Sequence, residues 1–457
     1  MSDTERLPPS LPRLAQLVAG ALVALVLLAA LPLGGARPWA WHGLLAGVAL
    51  LALVWAAASF FGTRANVGAR LWPLVAPWRI GLPLLLYSLA LAWALLQLWP
   101  GMPAAWHHPE WTAAAAVLGQ ENLPGSISLT PGTGMDGFAK LLGYGLIFLL
   151  ALQFGRSSRF AWAALRAVAG FTALLALYGL VNALSGAERI GWLEKWAYRG
   201  MVTGSFVNPN HFATWAGFGL IAALALMLRD DPGERRLRPF WLALLVILLA
   251  GLALSFSRAG MAAVALGVLT LLAGVVLRRH GWSGIGRLGV VAAALALPAL
   301  FLLTGEGDMG ERAAGALGHR GQIYAMALEL IAERPWLGSG LGSFSDASAK
   351  LRPIGMVLIW GEAHNVYLEL MVDLGLPAAL SLLLAQALLL WRCLEGALHR
   401  QSVPGLSLVA LAAGVTAAAH SLLDFSLQIP AVAALWALLL GLGVAQSWSA
   451  RQGRYLA

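Results

Sequence analysis

Charge is what this sequence has least of. Of its 457 residues only 11% are Asp, Glu, Lys or Arg and 60% are hydrophobic, giving a mean hydropathy of +0.76. A water-soluble domain carries about 25% charged residues, so a soluble fold is excluded: there is too little charge to cover its surface. Cysteine is almost absent as well. Cys393 stands alone, which rules out a disulfide within the chain and a thiolate metal cluster. The short alternating stretches of an outer-membrane barrel are missing too. What the sequence does have is a series of apolar blocks about 18–25 residues long, the length that crosses roughly 30 Å of hydrocarbon. Inside lipid each backbone N–H and C=O must be satisfied locally, so these blocks are helices.

The hydropathy predicts an all-α polytopic membrane protein of about twelve transmembrane helices, at 14–34, 39–61, 79–99, 138–154, 160–184, 210–228, 239–256, 259–277, 287–304, 364–391, 404–423 and 429–447. The first block follows Arg6 and Arg13 as a signal peptide would, but it exceeds an h-region of roughly 7–15 residues and reads as an uncleaved first helix. The chain reads as a single integral membrane domain over 1–457, without internal repeat or soluble domain. The formal charge of +9 does not point to nucleic acid, because the positive residues sit in short clusters between apolar blocks. Nineteen of the 30 Lys and Arg fall on one side, including Arg64, Arg70, Arg156, Arg159, Arg229, Arg235, Arg236, Arg238, Arg278, Arg279, Arg287, Arg392 and Arg400 with both termini. The positive-inside rule then predicts cytoplasmic termini and an even number of spans.

The long connections lie on the other side. Residues 100–137, with Trp106, His107, His108 and Trp111, read as an irregular loop. Residues 185–209 form a second loop. Residues 305–363 form the largest, and within it Ile323, Tyr324, Ala327, Leu330 and Ile331 recur at helical spacing between Arg320 and Arg334, ahead of Pro335. That pattern predicts a helix lying on the membrane surface.

Candidate chemistry gathers on this side. Arg258 sits in a tight turn, Ser257-Arg258-Ala259-Gly260, and reads either as an anion ligand or as a snorkelling arginine. Arg320, at the expected start of the surface helix, would combine a guanidinium with free N–H groups into a phosphate site, unless it is merely solvated. Arg199 precedes a polar turn leading to Asn208, Asn210 and His211, where the asparagines read as helix caps and the histidine as structural. His364, in Glu362-Ala363-His364-Asn365, is the natural proton acceptor near neutral pH, with a nearby carboxylate available to fix its tautomer; its plainer reading is an interfacial histidine ending a helix. Glu369 and Asp373 continue below it, four apart. His420 and Asp424 are also four apart and read as a pair tying helix ends together. Gly338-Ser339-Gly340-Leu341-Gly342 lacks the strand and lysine of a phosphate loop and reads as a flexible turn. No Asp-x-Asp, Ser-x-x-Lys or Gly-x-Ser-x-Gly appears outside, so neither metal nor cofactor is expected. Several arginines, one histidine and no metal suit an inverting transfer from a lipid-linked diphosphate, in which arginines stabilise the leaving group and the histidine deprotonates a sugar hydroxyl.

At these residues the chain resembles the O-antigen ligase and polymerase superfamily of bacterial membrane glycosyltransferases. The stretches that carry the likeness run from Arg199 to His211, Ser257 to Gly260, Arg320 to Gly340 (Arg320-Gly321-Gln322-Ile323-Tyr324 leading to Pro335-Trp336-Leu337-Gly338), Ala363 to Gly375, and His420 to Phe425. The resemblance implies a GT-C-like helical fold with a large periplasmic loop, and an undecaprenyl-diphosphate-linked glycan donor in the bacterial inner membrane. The acceptor it implies is a saccharide or a lipid A core. It implies His364 as base and Arg258, Arg320 and Arg199 as diphosphate ligands, with Glu362, Asn365, Tyr324, His420 and Asp424 as candidate supporting residues. Ligase, surface-polysaccharide polymerase and protein O-oligosaccharyltransferase share this donor chemistry, and the first two are preferred because no acceptor domain is visible. The rival readings are a lipid-linked oligosaccharide flippase, which would place ionisable residues near mid-membrane, and a non-catalytic assembly subunit.

Overall fold

The computed structural model describes residues 13–61, 77–120, 123–280, 308–353, 361–399 and 405–448. The helices expected from hydropathy are present as α1 (Arg13–Leu28), α2 (Pro38–Phe61), α3 (Pro77–Leu96), α5 (Pro131–Phe154), α6 (Ser158–Ser185), α7 (Pro209–Leu228), α9 (Arg238–Ala253), α10 (Arg258–His280), α13 (Val366–His399), α14 (Gly405–His420) and α15 (Pro430–Ala445). The expected span 287–304 and Arg6, Arg64, Arg70, Arg287, Arg400, Arg451 and Arg454 lie outside the described residues. Among the described residues six helices are long and apolar enough to cross a membrane, and five shorter ones are equally apolar. The chain is an all-α polytopic membrane protein.

Proline sets many of the helix starts. Pro38, Pro77, Pro109, Pro131, Pro209 and Pro430 each open a helix, where the missing N–H has no intrahelical partner to lose and the fixed φ suits the first turn. Beyond the polar first turns of α7, helices α7 and α15 are apolar, and most residues of both are buried; they form the centre. Small residues let the backbones approach: a Cβ on Gly443 of α15 would sit 2.1 Å from Ala410 of α14, and one on Gly267 of α10 would sit 2.0 Å from the Thr416 hydroxyl. Lipid supplies no hydrophobic drive between helices, so close packing at small residues does that work. The peripheral α2 leaves Leu50, Leu53 and Phe60 exposed, an apolar face suited to acyl chains.

Three connections differ from the sequence expectation. The stretch 100–137 is not wholly irregular: it holds α4 (Pro109–Leu118), which starts where His108 Nδ1 accepts from Glu110 N at 3.3 Å and stops at left-handed Gly119. Helix α5 also begins at Pro131, seven residues before the expected 138. Within 185–209 a two-stranded hairpin, β1 (Arg189–Ile190) and β2 (Leu193–Glu194), pairs Arg189 with Glu194. Inside the largest loop, α11 spans Asp308–Glu333, a dozen residues longer at its start than the expected helix. Its Ile323, Met326, Ala327 and Leu330 pack on Phe344 and Ala347 of α12 (Phe344–Ser348), on Ala363 and on Val372, so the helical spacing read from the sequence is a buried face.

Helix α13 is broken at Gly375 (φ 75°, ψ 162°), two residues before Pro377. The glycine turn 338–342 packs against that break and is held there by hydrogen bonds. Ser339 N donates to Val372 O at 2.8 Å, Gly340 N to Asp373 O at 2.9 Å, and Gly342 N to Asp373 Oδ2 at 2.6 Å. Gln97 Nε2, just beyond α3, donates to Asp373 O and Leu337 O.

The two ends of the bundle carry different chemistry. At one end Glu234, in α8 (Pro232–Arg236), is buried and accepts from Arg166 Nε at 2.8 Å, Arg229 Nη1 at 3.3 Å and Trp241 Nε1 at 2.9 Å. Arg278 and Arg279 close α10 there by donating to Ala397 O and Leu228 O. The start of α7, the turn before α10, the start of α13 and the end of α14 meet at the other end.

Candidate active site

Asp424 is the hub of that second end. It lies in the turn after α14, is 0% exposed, and both its oxygens are engaged. Oδ2 accepts from Asn210 Nδ2 at 2.8 Å and lies 3.8 Å from His364 Nδ1; Oδ1 accepts from Ser426 Oγ at 2.6 Å and lies 3.6 Å from His211 Nε2. Burial alone raises a carboxyl, but the approach of His364, the charges of His420 and His211 and the Ser426 hydroxyl outweigh it, and Asp424 is held well below the usual carboxylate range. The carboxylate nearest His364 Nδ1 is therefore Asp424, from sixty residues downstream, and not Glu362.

The neighbours extend the network. Ser257 Oγ donates to Asn210 Oδ1 at 2.7 Å, so a line of hydrogen bonds runs Ser257, Asn210, Asp424. Asn208 caps α7, its Oδ1 accepting from Asn210 N at 2.9 Å. Asn210 is not a second cap: its side chain spans from Ser257 to Asp424. His420 Nδ1 meets Thr214 Oγ1 at 2.6 Å and Ser426 Oγ at 3.3 Å, so His420 and Asp424 are joined through Ser426. The Phe425 ring packs edge-on to both His211 and His364, with centroids 4.7 and 4.8 Å away.

His364 itself is held in an uncommon backbone conformation, φ 52°. For a residue other than glycine this costs energy that the surroundings must offset. Tyr324 of α11 supplies part of the offset, its hydroxyl donating to His364 O at 3.2 Å and Leu422 O at 3.0 Å. Asn365 supplies more: Oδ1 accepts from Tyr367 N and Leu368 N at the start of α13, and Nδ2 donates to Leu422 O.

The three arginines end up in different places. Arg258 is the first residue of α10, half-buried, beside Ser257, whose Oγ accepts from Gly260 N at 3.2 Å. The positive end of a long helix therefore stands behind Arg258. Arg320 does not start a helix, because α11 begins twelve residues earlier; of the two arginines it is Arg258 that stands at a helix start. Arg320 nevertheless acts electrostatically on Tyr198, Tyr324 and His420, so its charge reaches the same cluster. Arg199 is exposed and its Nε donates to Lys195 O at 2.9 Å; the contacts described for it leave it outside the His364–Asp424 cluster. Its neighbour Tyr198 (φ 54°) is tied to the cluster by charge instead: burial and then the Asp424 charge push its phenol up, with Arg320 opposing.

Glu362 belongs to a second group. Burial, and next the charge of Glu369, push its carboxyl well above the ordinary range, while Lys140 opposes. Glu369 Oε2 accepts from Ala363 N at 2.8 Å, and Asp373 holds the glycine turn. These three acids line one end of a cavity of about 800 Å³ between α3, α5, α13 and α15, with Phe425 in its wall.

Residues 243–383 match the O-antigen ligase family. The matched segment runs from α9 into α13 and contains Arg258, Arg320, Tyr324, Glu362, His364 and Asn365, in support of the resemblance read from the motifs. Asn210, Thr214, His420, Asp424 and Ser426, which complete the network around His364, fall outside it. The chain matches no curated protein. The family match indicates O-antigen ligase-type function and a glycosyltransferase-like enzyme.

Proposed function

We propose that this protein transfers a glycan from an undecaprenyl-diphosphate-linked donor to a sugar hydroxyl, at the periplasmic face of the bacterial inner membrane. The observation that carries the reading is the 3.8 Å approach of His364 Nδ1 to the ionised, buried Asp424. A carboxylate there favours the proton on Nδ1 and makes Nε2 the proton acceptor. The acceptor oxygen, deprotonated by Nε2, attacks the anomeric carbon; the bond from that carbon to the diphosphate oxygen breaks, and the lipid diphosphate leaves with the electron pair. Arg258, backed by the start of α10, and Arg320 neutralise the charge that builds on the leaving group. Attack opposite the leaving group inverts the anomeric centre. Arg199 serves as an outer diphosphate contact.

Sidedness rests on charge. The end around Glu234 holds Arg166, Arg229, Arg278 and Arg279, and the excess of Lys and Arg assigns it to the cytoplasm. The site then faces the periplasm, and the termini lie inside.

The test is transfer by purified protein given lipid-linked oligosaccharide and candidate acceptors, comparing wild type with His364→Ala and Arg258→Ala. Release of lipid diphosphate by wild type alone supports the reading, with a product ladder marking a polymerase and a single conjugate a ligase. Full activity in both variants refutes the assigned site. Movement of donor across liposomes without transfer would make the protein a flippase.

A further inference from the structure

The end of the bundle around Glu234 divides its arginines unequally among its carboxylates. Glu234 and Asp231 match Arg166 and Arg229: Glu234 accepts from both, and Arg229 Nη2 lies 3.3 Å from Asp231 Oδ2. Asp230 is left with three. Arg235 of α8 donates to its Oδ1 at 3.2 Å, Arg279 of α10 donates to its Oδ2 at 3.4 Å, and Arg238 at the start of α9 stands 4.0 Å from Oδ1. A guanidinium stays charged at any physiological pH, so three positive charges against one negative leave this corner with an excess of two.

Arg238 and Arg279 line an open groove of about 520 Å³, whose remaining walls are Met227, Leu228, Pro239 and Leu242. Arg279 also donates to Leu228 O at 2.9 Å, which holds its guanidinium at the groove. Helix α9 begins there without a side-chain cap, so its positive end adds to the field. Leu242 continues the groove into a stripe along α9, where it, Val246 and Leu249 are each more than half exposed. Positions four and seven apart share one helix face, and these three cover about 10 Å of it. The feature is cationic where α9 starts and apolar toward the bilayer core.

We propose that the groove binds an anionic phospholipid, its phosphodiester between Arg238 and Arg279 and an acyl chain along Leu242, Val246 and Leu249. The inference stands apart from the glycosyl-transfer reading above. A zwitterionic lipid brings an ammonium group toward the excess of arginine and is disfavoured. Soluble phosphate meets the charge but leaves the stripe uncovered. Basic clusters where helices leave the membrane are a general means of holding anionic headgroups. Here the lipid joins the ends of α7, α9 and α10, and the opposite ends of α7 and α10 present Asn210 and Arg258.

The experiment is native mass spectrometry of the full-length protein in a neutral detergent, titrated with dioleoyl phosphatidylglycerol, dioleoyl phosphatidylcholine or inorganic phosphate. Wild type is expected to bind phosphatidylglycerol roughly tenfold more tightly than phosphatidylcholine, the scale of one or two basic contacts to an anionic headgroup. Arg238→Gln with Arg279→Gln should bring the two lipids near parity. Arg238→Gln alone, at a half-exposed side chain, should remove part of the preference and serves if the double variant does not fold. Asp230→Asn removes the competing carboxylate and should strengthen it. Arg392→Gln, on α13 at the same end and paired with Glu395, should leave it unchanged. Equal binding of both lipids by wild type overturns the proposal. So does an equal loss in Arg392→Gln, because bulk charge and not the groove then selects. Displacement of phosphatidylglycerol by inorganic phosphate at equal concentration overturns the lipid as occupant and leaves a simple anion site.

Discussion

Asp424 Oδ2 lies 3.8 Å from His364 Nδ1, and the two residues reach each other from the turn after α14 and the loop before α13. The carboxylate is fixed from behind by Asn210 and Ser426, so it cannot follow the imidazole if the ring turns. A fixed partner sets the tautomer, and the tautomer decides which nitrogen can take a proton. Asp424→Asn should therefore lower kcat, on the order of 10²-fold, the scale of general-base assistance, with donor KM little changed. Arg258→Ala should do the reverse and raise donor KM most. Steady-state kinetics on both variants separate positioning from binding; a shared loss in KM alone would refute the assignment for Asp424.

The same carboxylate makes an acid-stability prediction. Its ionisation is favoured in the folded protein, since the bonds and charges around it outweigh burial. A folded value below the unfolded one contributes stability that is fully present above the ordinary Asp value, about 3.9, and is lost as pH falls through the range beneath it. Thermal unfolding in nanodiscs should show wild type more stable than Asp424→Asn at pH 7. The gap should narrow as pH drops below about 4. A gap that stays constant to the lowest pH tested would mean that the charge contributes nothing.

Much of the fold was legible because lipid imposes one rule, that apolar blocks become helices. The blocks at 39–61 and 160–184 are present as α2 and α6 with ends shifted by one or two residues. The extra turns of α11 before Arg320 were not legible, since Gly310, Gly315 and Gly318 depress helix propensity. The break in α13 was written as Gly375-Leu376-Pro377, but a continuous hydrophobic block hides it. In the site, His364 and Arg258 stood out as polar residues at membrane edges. Asn210 did not, because an asparagine in a first turn reads as a cap; its bonds to Ser257 and Asp424 join positions 47 and 214 residues apart. The signal available was Thr214, a second polar residue one turn further along the same apolar helix.

The glycine turn supports a clean stability contrast. Gly338 has φ 69°, and a Cβ there would lie 2.4 Å from Asp373 O and 2.5 Å from Gly375 N, both backbone atoms that cannot step aside. Gly338→Ala should cost at least the roughly 1–2 kcal/mol of a left-handed L-residue, plus the clash. Gly321, inside α11, would carry a methyl group with nothing within 4 Å of it, and Gly321→Ala should be neutral or stabilising by about 0.5–1 kcal/mol. Thermal unfolding of the pair checks this. Equal stability would mean that the turn relaxes and does not brace the Asp373 end of the cavity.

Lys195 carries the last prediction. Its side chain is buried, and Nζ donates to Met201 O at 2.5 Å and Tyr198 O at 3.4 Å, with Glu188 3.7 Å away. Burial pulls the ammonium pKa down and Glu188 opposes, so the strap from Ala187 to Gly204 is organised around one buried cation. Glu188 completes the loop by accepting from Gly200 N at 2.6 Å. Lys195→Met keeps the apolar stem and removes every donor, leaving two carbonyls and a carboxylate without their partner, a cost of about 1–3 kcal/mol. Amide hydrogen exchange across 195–204 should accelerate, while the amides of α7 and α15 stay protected. Activity should also fall, because this strap carries Tyr198, whose phenol feels the charges of Asp424 and Arg320. Unchanged exchange with lost activity would instead give Lys195 a direct part in the chemistry and remove it from the scaffold.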